Sequence, residues 1–455
     1  MAGLLRFLAQ LIVWIAKLTQ KLFPNSSTPP QPSYFLTSVL KLIYPGHELK
    51  QLECLTDIYF RYGLFQHGGY IYLLDPRMSQ SAINKLDKGA VEYLQNSPLS
   101  DSFLGSSDRS PETRRAIAAI FRKSNMEANA GKMIQVIERT VEKISRQSTL
   151  NVNQISLQMA LDIVGHVLFG LELDALGCKQ DKLIDAMMTI LHRAYALKEI
   201  SPESSEFKQA EKDLDTMTSQ ILQSALEVSD DVEKSLARIL NDITGFKECK
   251  SNMELFLMAG SETTASSIPV FLYLVVNTPG LQKELQEEAD EYFSKLRADA
   301  SIVPPKLESA LREMLRAYAI APYISRRTHE EMKLRDFLIP HDSSLRIFTW
   351  GIHRCPELWP QSKTFLPGRF CPGYKSKANT ASERGQFWIP FGAGARVCIG
   401  QHLAWVELKL ALTYFLHYFT FSKVKVTEPL EFCVDWEHAV VHVDKDVVLG
   451  VARRR

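Results

Sequence analysis

The sequence predicts a mainly helical chain with a minor β lobe, and three observations carry that expectation. From Asn125 to about Ser229, amphipathic helical spacing runs on without the punctuation of a separate domain. Strand signals are sparse: Leu64–Leu74 alternates around Gly68-Gly69 as a hairpin would, and the Val- and Phe-rich tail from Phe419 to Val451 reads as short strands. Finally, a glycine-rich turn presents Cys398 just ahead of an apolar helical run over Gln401–Tyr418.

Composition removes several function classes. The chain has 53 Lys and Arg against 52 Asp and Glu, so no broad electrostatic attraction to nucleic acid arises. Its 7 cysteines are scattered and lack paired zinc spacing, which argues against a disulfide framework and favours a reducing compartment. No phosphate loop or dinucleotide fingerprint is present, so electrons for any redox chemistry have no evident carrier in this chain. At 455 residues the length suggests two or three domains, although large helical enzymes exceed that prior with one continuous core.

Taken from the start, Leu4–Phe23 is apolar with a thin polar stripe of Arg6, Gln10, Lys17, Gln20 and Lys21. Its longest uncharged run, Phe7–Ala16, is half of what a bilayer span needs. Trp14 and the basic residues suit an interface, so residues 1–23 are read as a membrane-associated helix, lying in the interface or inserted at a steep tilt. Residues 24–33 form a proline-stiffened linker and a poor signal-cleavage site. The rest, 34–455, reads as one domain.

His47–Tyr62 has helical spacing, and Asp75-Pro76 starts another helix after the hairpin. Residues 87–110 are loop-rich. Ser110-Pro111 then opens a helix that carries Arg114 and Arg115, which with Arg122 and Lys123 make a basic face. Such a face docks an acidic partner or is simply solvated.

The segment Asn252–Val276 is an apolar helix interrupted by Ala259-Gly260-Ser261-Glu262-Thr263-Thr264. Glycine and threonine cost helix propensity and glutamate resists burial, so a cluster that breaks local rules inside a core points to function. Gly260 beside Ala259 leaves a notch in the helix face, and the helix can widen there as π turns do. Thr263 supplies a hydroxyl at that notch and Glu262 a proton relay. Pro269 is expected to kink the helix. Further on, Glu313 and Arg316 are one helical turn apart and can pair.

The run Phe391-Gly392-Ala-Gly394-Ala-Arg396-Val-Cys398-Ile-Gly400 reads F-x-x-G-x-R-x-C-x-G. Its chance occurrence in a chain this long is on the order of one in ten thousand. A cysteine ahead of a helix meets the positive end of the dipole, which favours the metal-binding thiolate. This run resembles the haem-binding loop of the cytochrome P-450 monooxygenases, and the cluster at Ala259–Thr264 resembles that family's A-G-x-[D/E]-T-[T/S] motif.

The resemblance spans about residues 34 to 453 in motif order, and it implies the family's fold, with haem between the distal helix and the proximal Cys398 loop. It makes Cys398 the axial iron ligand of haem b, and the loop residues Phe391, Gly392 and Gly400 and the distal residues Ala259 and Gly260 its surroundings. Arg396, Arg326 (Arg327 less so) and Arg115 or Arg114 would hold the propionates. The Trp or His usual four residues before that helix arginine is absent, since Pro111 and Ser110 stand there. Glu313, Arg316 and Arg369 would form a buried structural triad, with Gly368 where the family has Glu. His353, His402, Cys355 and Cys371 lack the context of iron ligands. The loop at 87–110 would roof the substrate pocket.

The implied reaction inserts one oxygen atom of O2 into a lipophilic small molecule. NAD(P)H electrons would arrive through a separate reductase or ferredoxin. The domain would face the cytoplasm from a membrane, the endoplasmic reticulum in a eukaryote. A peroxide-driven hydroxylase, a lipid-hydroperoxide isomerase or dehydratase, and a non-catalytic haem protein are the competing readings.

Overall fold

In the computed structural model of the protein, residues 28–32, 34–44, 48–86, 98–104, 111–194, 204–227, 235–372, 387–424, 432–433, 442–443 and 445–454 are described. The expected membrane helix at 1–23, half of the linker and most of the loop at 87–110 lie outside them.

Two helices, α1 (Tyr34–Ile43) and α2 (Glu48–Tyr59), lead to a hairpin of β1 (Leu64–His67) and β2 (Tyr70–Leu73). Gly68 and Gly69 have φ of 58° and 81°. Only glycine adopts both cheaply, and that turn matches the twist of the flanking strands. The Asp75 side chain then accepts from the N–H groups of Arg77 and Met78, and Pro76 fills the first position of α3 (Pro76–Lys85).

The helical body follows. α4 (Pro111–Ile120), α5 (Lys123–Ala128) and α6 (Ala130–Ile144) reach β3 (Thr149–Asn151). α7 (Val152–Val164) runs into one π turn at Gly165–Phe169. α8 (Asp181–Ala194) and α9 (Ser205–Glu227) precede α10 (Leu236–Asn277), whose one non-helical residue is Gly245, with φ 75° and ψ 171°. The kink expected at Pro269 is therefore not a break. Pro269 is buried and its stretch keeps helical backbone angles, while the break in α10 falls at Gly245.

α11 (Leu281–Ala298) and α12 (Pro305–Ala317) lead to the strands β4 (Ile324–Arg327), β5 (Met332–Leu334), β6 (Phe337–Ile339) and β7 (Ser344–Ile347). The short α13 (Thr349–Ile352) and then α14 (Gln401–Tyr418) follow. The tail adds β8 (Phe419–Lys423), β9 (Phe432–Cys433), β10 (His442–Val443) and β11 (Val448–Arg453). The sheet order is β1-β2-β7-β4, with β2 parallel to β7 and Ile71 opposite Leu345. A second sheet sets β11 between β3 and β8.

α10 packs most extensively on α7, and α14 on α11 and α6. Leu410, Ala411, Leu412, Phe415 and Leu416 of α14 are wholly buried, at roughly 1.5–3 kcal/mol for each large side chain. A helix buried nearly all round is a rigid mount for the cysteine loop at its start. Among the described residues α10 is the one helix long and apolar enough to cross a bilayer; 72% of its most apolar stretch is buried in the protein, as befits a core helix.

Candidate active site

The cysteine loop is a set of tight turns locked by backbone hydrogen bonds. The N–H of Cys398 donates to the Phe391 carbonyl at 2.8 Å, and Gly392 donates to Ile389 at 3.0 Å. Gly392 and Gly394 have φ of 74° and 72°, which side-chain-bearing residues rarely adopt. A buried histidine steadies the entry: His353 Nε2 accepts from the N–H of Ile389 at 2.9 Å. Burial above all, with Arg316 and Arg354 nearby, pushes the His353 pKa down to about 3, so the ring is neutral and free to accept.

Cys398 itself remains exposed to a cavity of about 340 Å³ lined by Ala259, Gly260 and Thr263 of α10 and by Phe391, Gly392, Arg396 and Gly400 of the loop. Arg326 lines it from β4, with its guanidinium donating to the Ser325 and Ala393 carbonyls. Arg327 turns away to a bidentate pair with Asp342 at 2.7 and 2.9 Å. From α4, Arg114 lines the cavity and donates to the carbonyls of Ala395 and Val397 at 3.0 and 3.1 Å. Arg115 is exposed and is not among the lining residues, so the geometry selects Arg114 from the pair. The reason is helical rotation, which turns adjacent residues to different faces.

The distal helix is regular at its notch. α10 has no π turn at Gly260; the π turn lies opposite, at Gly165–Phe169. A Cβ on Gly260 would stand 2.8 Å from Val164 Cγ2, so the missing side chain lets α7 and α10 approach closely as well as opening the cavity wall. The Thr263 hydroxyl donates to the Ala259 carbonyl at 2.9 Å, the ordinary resting bond of a helical threonine. Glu262 is half-buried and is not among the lining residues.

Behind the loop, Glu313, Arg316 and Arg369 meet in a buried network. Arg316 pairs with both Glu313 oxygens at 2.8 and 2.9 Å, and Arg369 Nε with Glu313 Oε2 at 2.9 Å. The remaining N–H groups of Arg316 donate to the carbonyls of His353, Ser362 and Thr364, so every desolvated charge has partners.

This donor set fits haem: one accessible sulfur on glycine-shaped turns, guanidinium groups from Arg114, Arg326 and Arg396 for two propionates, and an apolar wall. Among the described residues no cluster of His, Cys, Asp and Glu competes as a metal site. A model of the cytochrome P450 family matches residues 29–446. The chain belongs to the cytochrome P450 family.

Its relatives agree. Cytochrome P450 3A41 of Mus musculus is 26% identical across 96% of this chain and 93% of its own length. A shorter match, 37% identical, joins 40% of this chain to 36% of cytochrome P450 3A40 of Oryzias latipes. The crystal structure of a cytochrome P450, CYP102L1, superposes with a TM-score of 0.74 over 89% of this chain and 98% of its own, at 16% identity. A cytochrome P450 is a haem-iron monooxygenase, an oxidoreductase that uses O2 and electrons delivered by a partner.

Sequence reasoning missed part of this cytochrome P450's pocket. Phe103, Phe121 and Phe256 line it, the last stacked on Phe103 with centroids 5.6 Å apart and tilted against Phe121 at 5.4 Å. The Phe103 N–H donates to Asn252 Oδ1 at 2.8 Å, which pins the described part of the 87–110 loop to α10. Phe169, Met187 and Leu191 belong to the hydrophobic core. Glu407 of α14 also lines the cavity, unflagged by any motif.

Proposed function

We propose that this cytochrome P450 inserts one oxygen atom of O2 into a lipophilic small molecule at the cavity between α10 and Cys398. The cofactor is haem b, and NAD(P)H electrons arrive through a separate reductase or ferredoxin. The supporting observation is the single accessible sulfur of Cys398 facing the small-residue stretch of α10 across one cavity. Bound there, haem supplies O–O cleavage, and thiolate ligation favours it. The chain's own groups bind and orient: Cys398 as iron ligand, Arg114, Arg326 and Arg396 toward the propionates, and the Phe103, Phe121 and Phe256 cluster against an apolar substrate.

Thr263 and Glu262 are assigned to proton delivery. Rotation of the Thr263 hydroxyl from the Ala259 carbonyl toward the cavity frees it as a donor. That Glu262 lies outside the lining favours one second reading, peroxide-driven turnover, which needs no acid–alcohol pair. Residues 1–23 are assigned to a membrane surface, with the domain on its cytoplasmic side.

One experiment carries the weight. The pigmented protein, reduced and exposed to carbon monoxide, should give the red-displaced absorption band of sulfur-ligated haem, and Cys398→Ser should lose it. A band unchanged by that substitution overturns the assignment. Turnover with O2 plus a reductase, compared with peroxide alone, separates the two readings.

A further inference from the structure

Asn252 is wholly buried in the interior of α10, where asparagine costs helix propensity and a primary amide needs partners at both ends. Both ends are filled. Its Nδ2 donates to the Glu248 carbonyl at 2.9 Å, within the helix, and its Oδ1 accepts from the N–H of Phe103 at 2.8 Å. The second bond leaves the helix and crosses 149 residues of chain. Phe103 lies in irregular chain just past the tight turn Pro98–Asp101, which packs on α10, and it is buried. A buried N–H outside regular structure must find an acceptor, and α10 supplies it. Four residues after Asn252, on the same face of α10, Phe256 stacks on the Phe103 ring with centroids 5.6 Å apart. One helix face thus holds residue 103 at two points, the main chain by Asn252 and the ring by Phe256. The Asp101–Lys247 pair, 3.0 Å apart, fastens the same turn from outside, but its exposed charges contribute little.

We propose that Asn252 is a positioning residue for ligand binding: by holding the Phe103 main chain it fixes one wall of the cavity, and so sets the preference for bulky apolar ligands over small ones. Phe103, Leu104 and Phe256 line the cavity into which Cys398 opens, whereas Asn252 does not, so its effect passes through the wall and not through contact with the ligand. The proposal rests on the haem-binding reading of that cavity. A ligand gains from an apolar wall in proportion to the apolar area it covers. A small ligand at the cofactor covers little of it, and a larger apolar one covers more. Releasing the Phe103 main chain therefore penalises the larger ligand selectively.

Two nitrogen bases that ligate haem iron, imidazole and 4-phenylimidazole, probe this in the holoenzyme through the shift of the haem absorption band. Asn252→Leu keeps nearly the same size and removes both hydrogen bonds. It should weaken 4-phenylimidazole severalfold, leave imidazole nearly unchanged, and keep the carbon-monoxide band of the wild type. Equal weakening of the two bases, or of neither, in a folded Leu variant overturns the proposal. Hydrogen exchange of the wild-type holoenzyme needs no variant: the Phe103 amide, resolved by fragmentation mass spectrometry, should exchange far more slowly than an amide of open irregular chain. Exchange at the open-chain rate overturns the proposal even if the Leu variant fails to fold. Failure of the parent reading is distinct, because the wild-type carbon-monoxide band would then be missing and neither base would shift the absorption.

Discussion

Arg114 and Arg115 are neighbours in the chain and strangers in space. Arg114 ties α4 to the cysteine loop through the Ala395 and Val397 carbonyls, whereas Arg115 is exposed. Arg114→Leu should therefore lower haem retention severalfold, and Arg115→Leu should leave it within about twofold, an exposed charge contributing little. The haem-to-protein absorbance ratio after dialysis checks both. Thr263→Ala should cut the fraction of electrons that reach product by about tenfold or more, as removal of a proton-transfer group does. Full coupling in that variant would remove Thr263 from the relay. Glu407 makes a thermodynamic prediction of its own. Its folded pKa, about 8, lies above the ordinary 4.5, so the folded chain keeps a proton that the unfolded chain releases. Its stability contribution is complete below the lower value and declines as pH rises to the higher one, by at most about 1.4 kcal/mol per pH unit. Melting temperatures from pH 5 to 8 should fall less steeply in Glu407→Gln than in the wild type.

At the scale of elements, the contact between α7 and α10 decides what position 260 tolerates. Gly260→Ala gains helix propensity, about 1 kcal/mol, but drives a methyl against Val164. Overpacking of this kind costs about 1–3 kcal/mol, so net destabilisation is expected, and Val164→Ala in the same chain should relieve it. Chemical denaturation of the two single variants and the double variant measures the coupling. Sequence alone offered the glycine but not its partner, because the two lie on helices far apart in the chain. The break at Gly245 in α10 was likewise unmarked, since a lone glycine within helical spacing is ordinarily tolerated. What was legible at this scale had local chemistry behind it, namely the Gly68-Gly69 turn, the Asp75-Pro76 cap and the glycine-shaped cysteine loop.

Across the whole molecule, the Glu313 network joins α12 to the irregular stretch 353–369. Removing Glu313 leaves the buried guanidinium groups of Arg316 and Arg369 without their counter-charge. Glu313→Leu should cost about 3–5 kcal/mol and release haem on mild heating, seen as earlier loss of haem absorbance than of helical circular dichroism. The motif spacing let the helical architecture, the cysteine loop and the triad's membership be read in advance. It could not supply the aromatic cluster of Phe103, Phe121 and Phe256, nor Glu407, because no short-range pattern marks residues that meet only after folding.

The parallel pairing of β2 with β7 has a consequence during biosynthesis. Tyr72 and Arg346, opposite each other in that ladder, are 274 residues apart in the chain. A ribosome adding roughly 5–20 residues per second needs tens of seconds to supply the missing strand. For that interval the Tyr70–Leu73 edge of the newborn hairpin offers its amides and carbonyls to whatever comes near, and a chaperone that shields this tetrapeptide until residue 347 emerges should raise the yield of soluble enzyme.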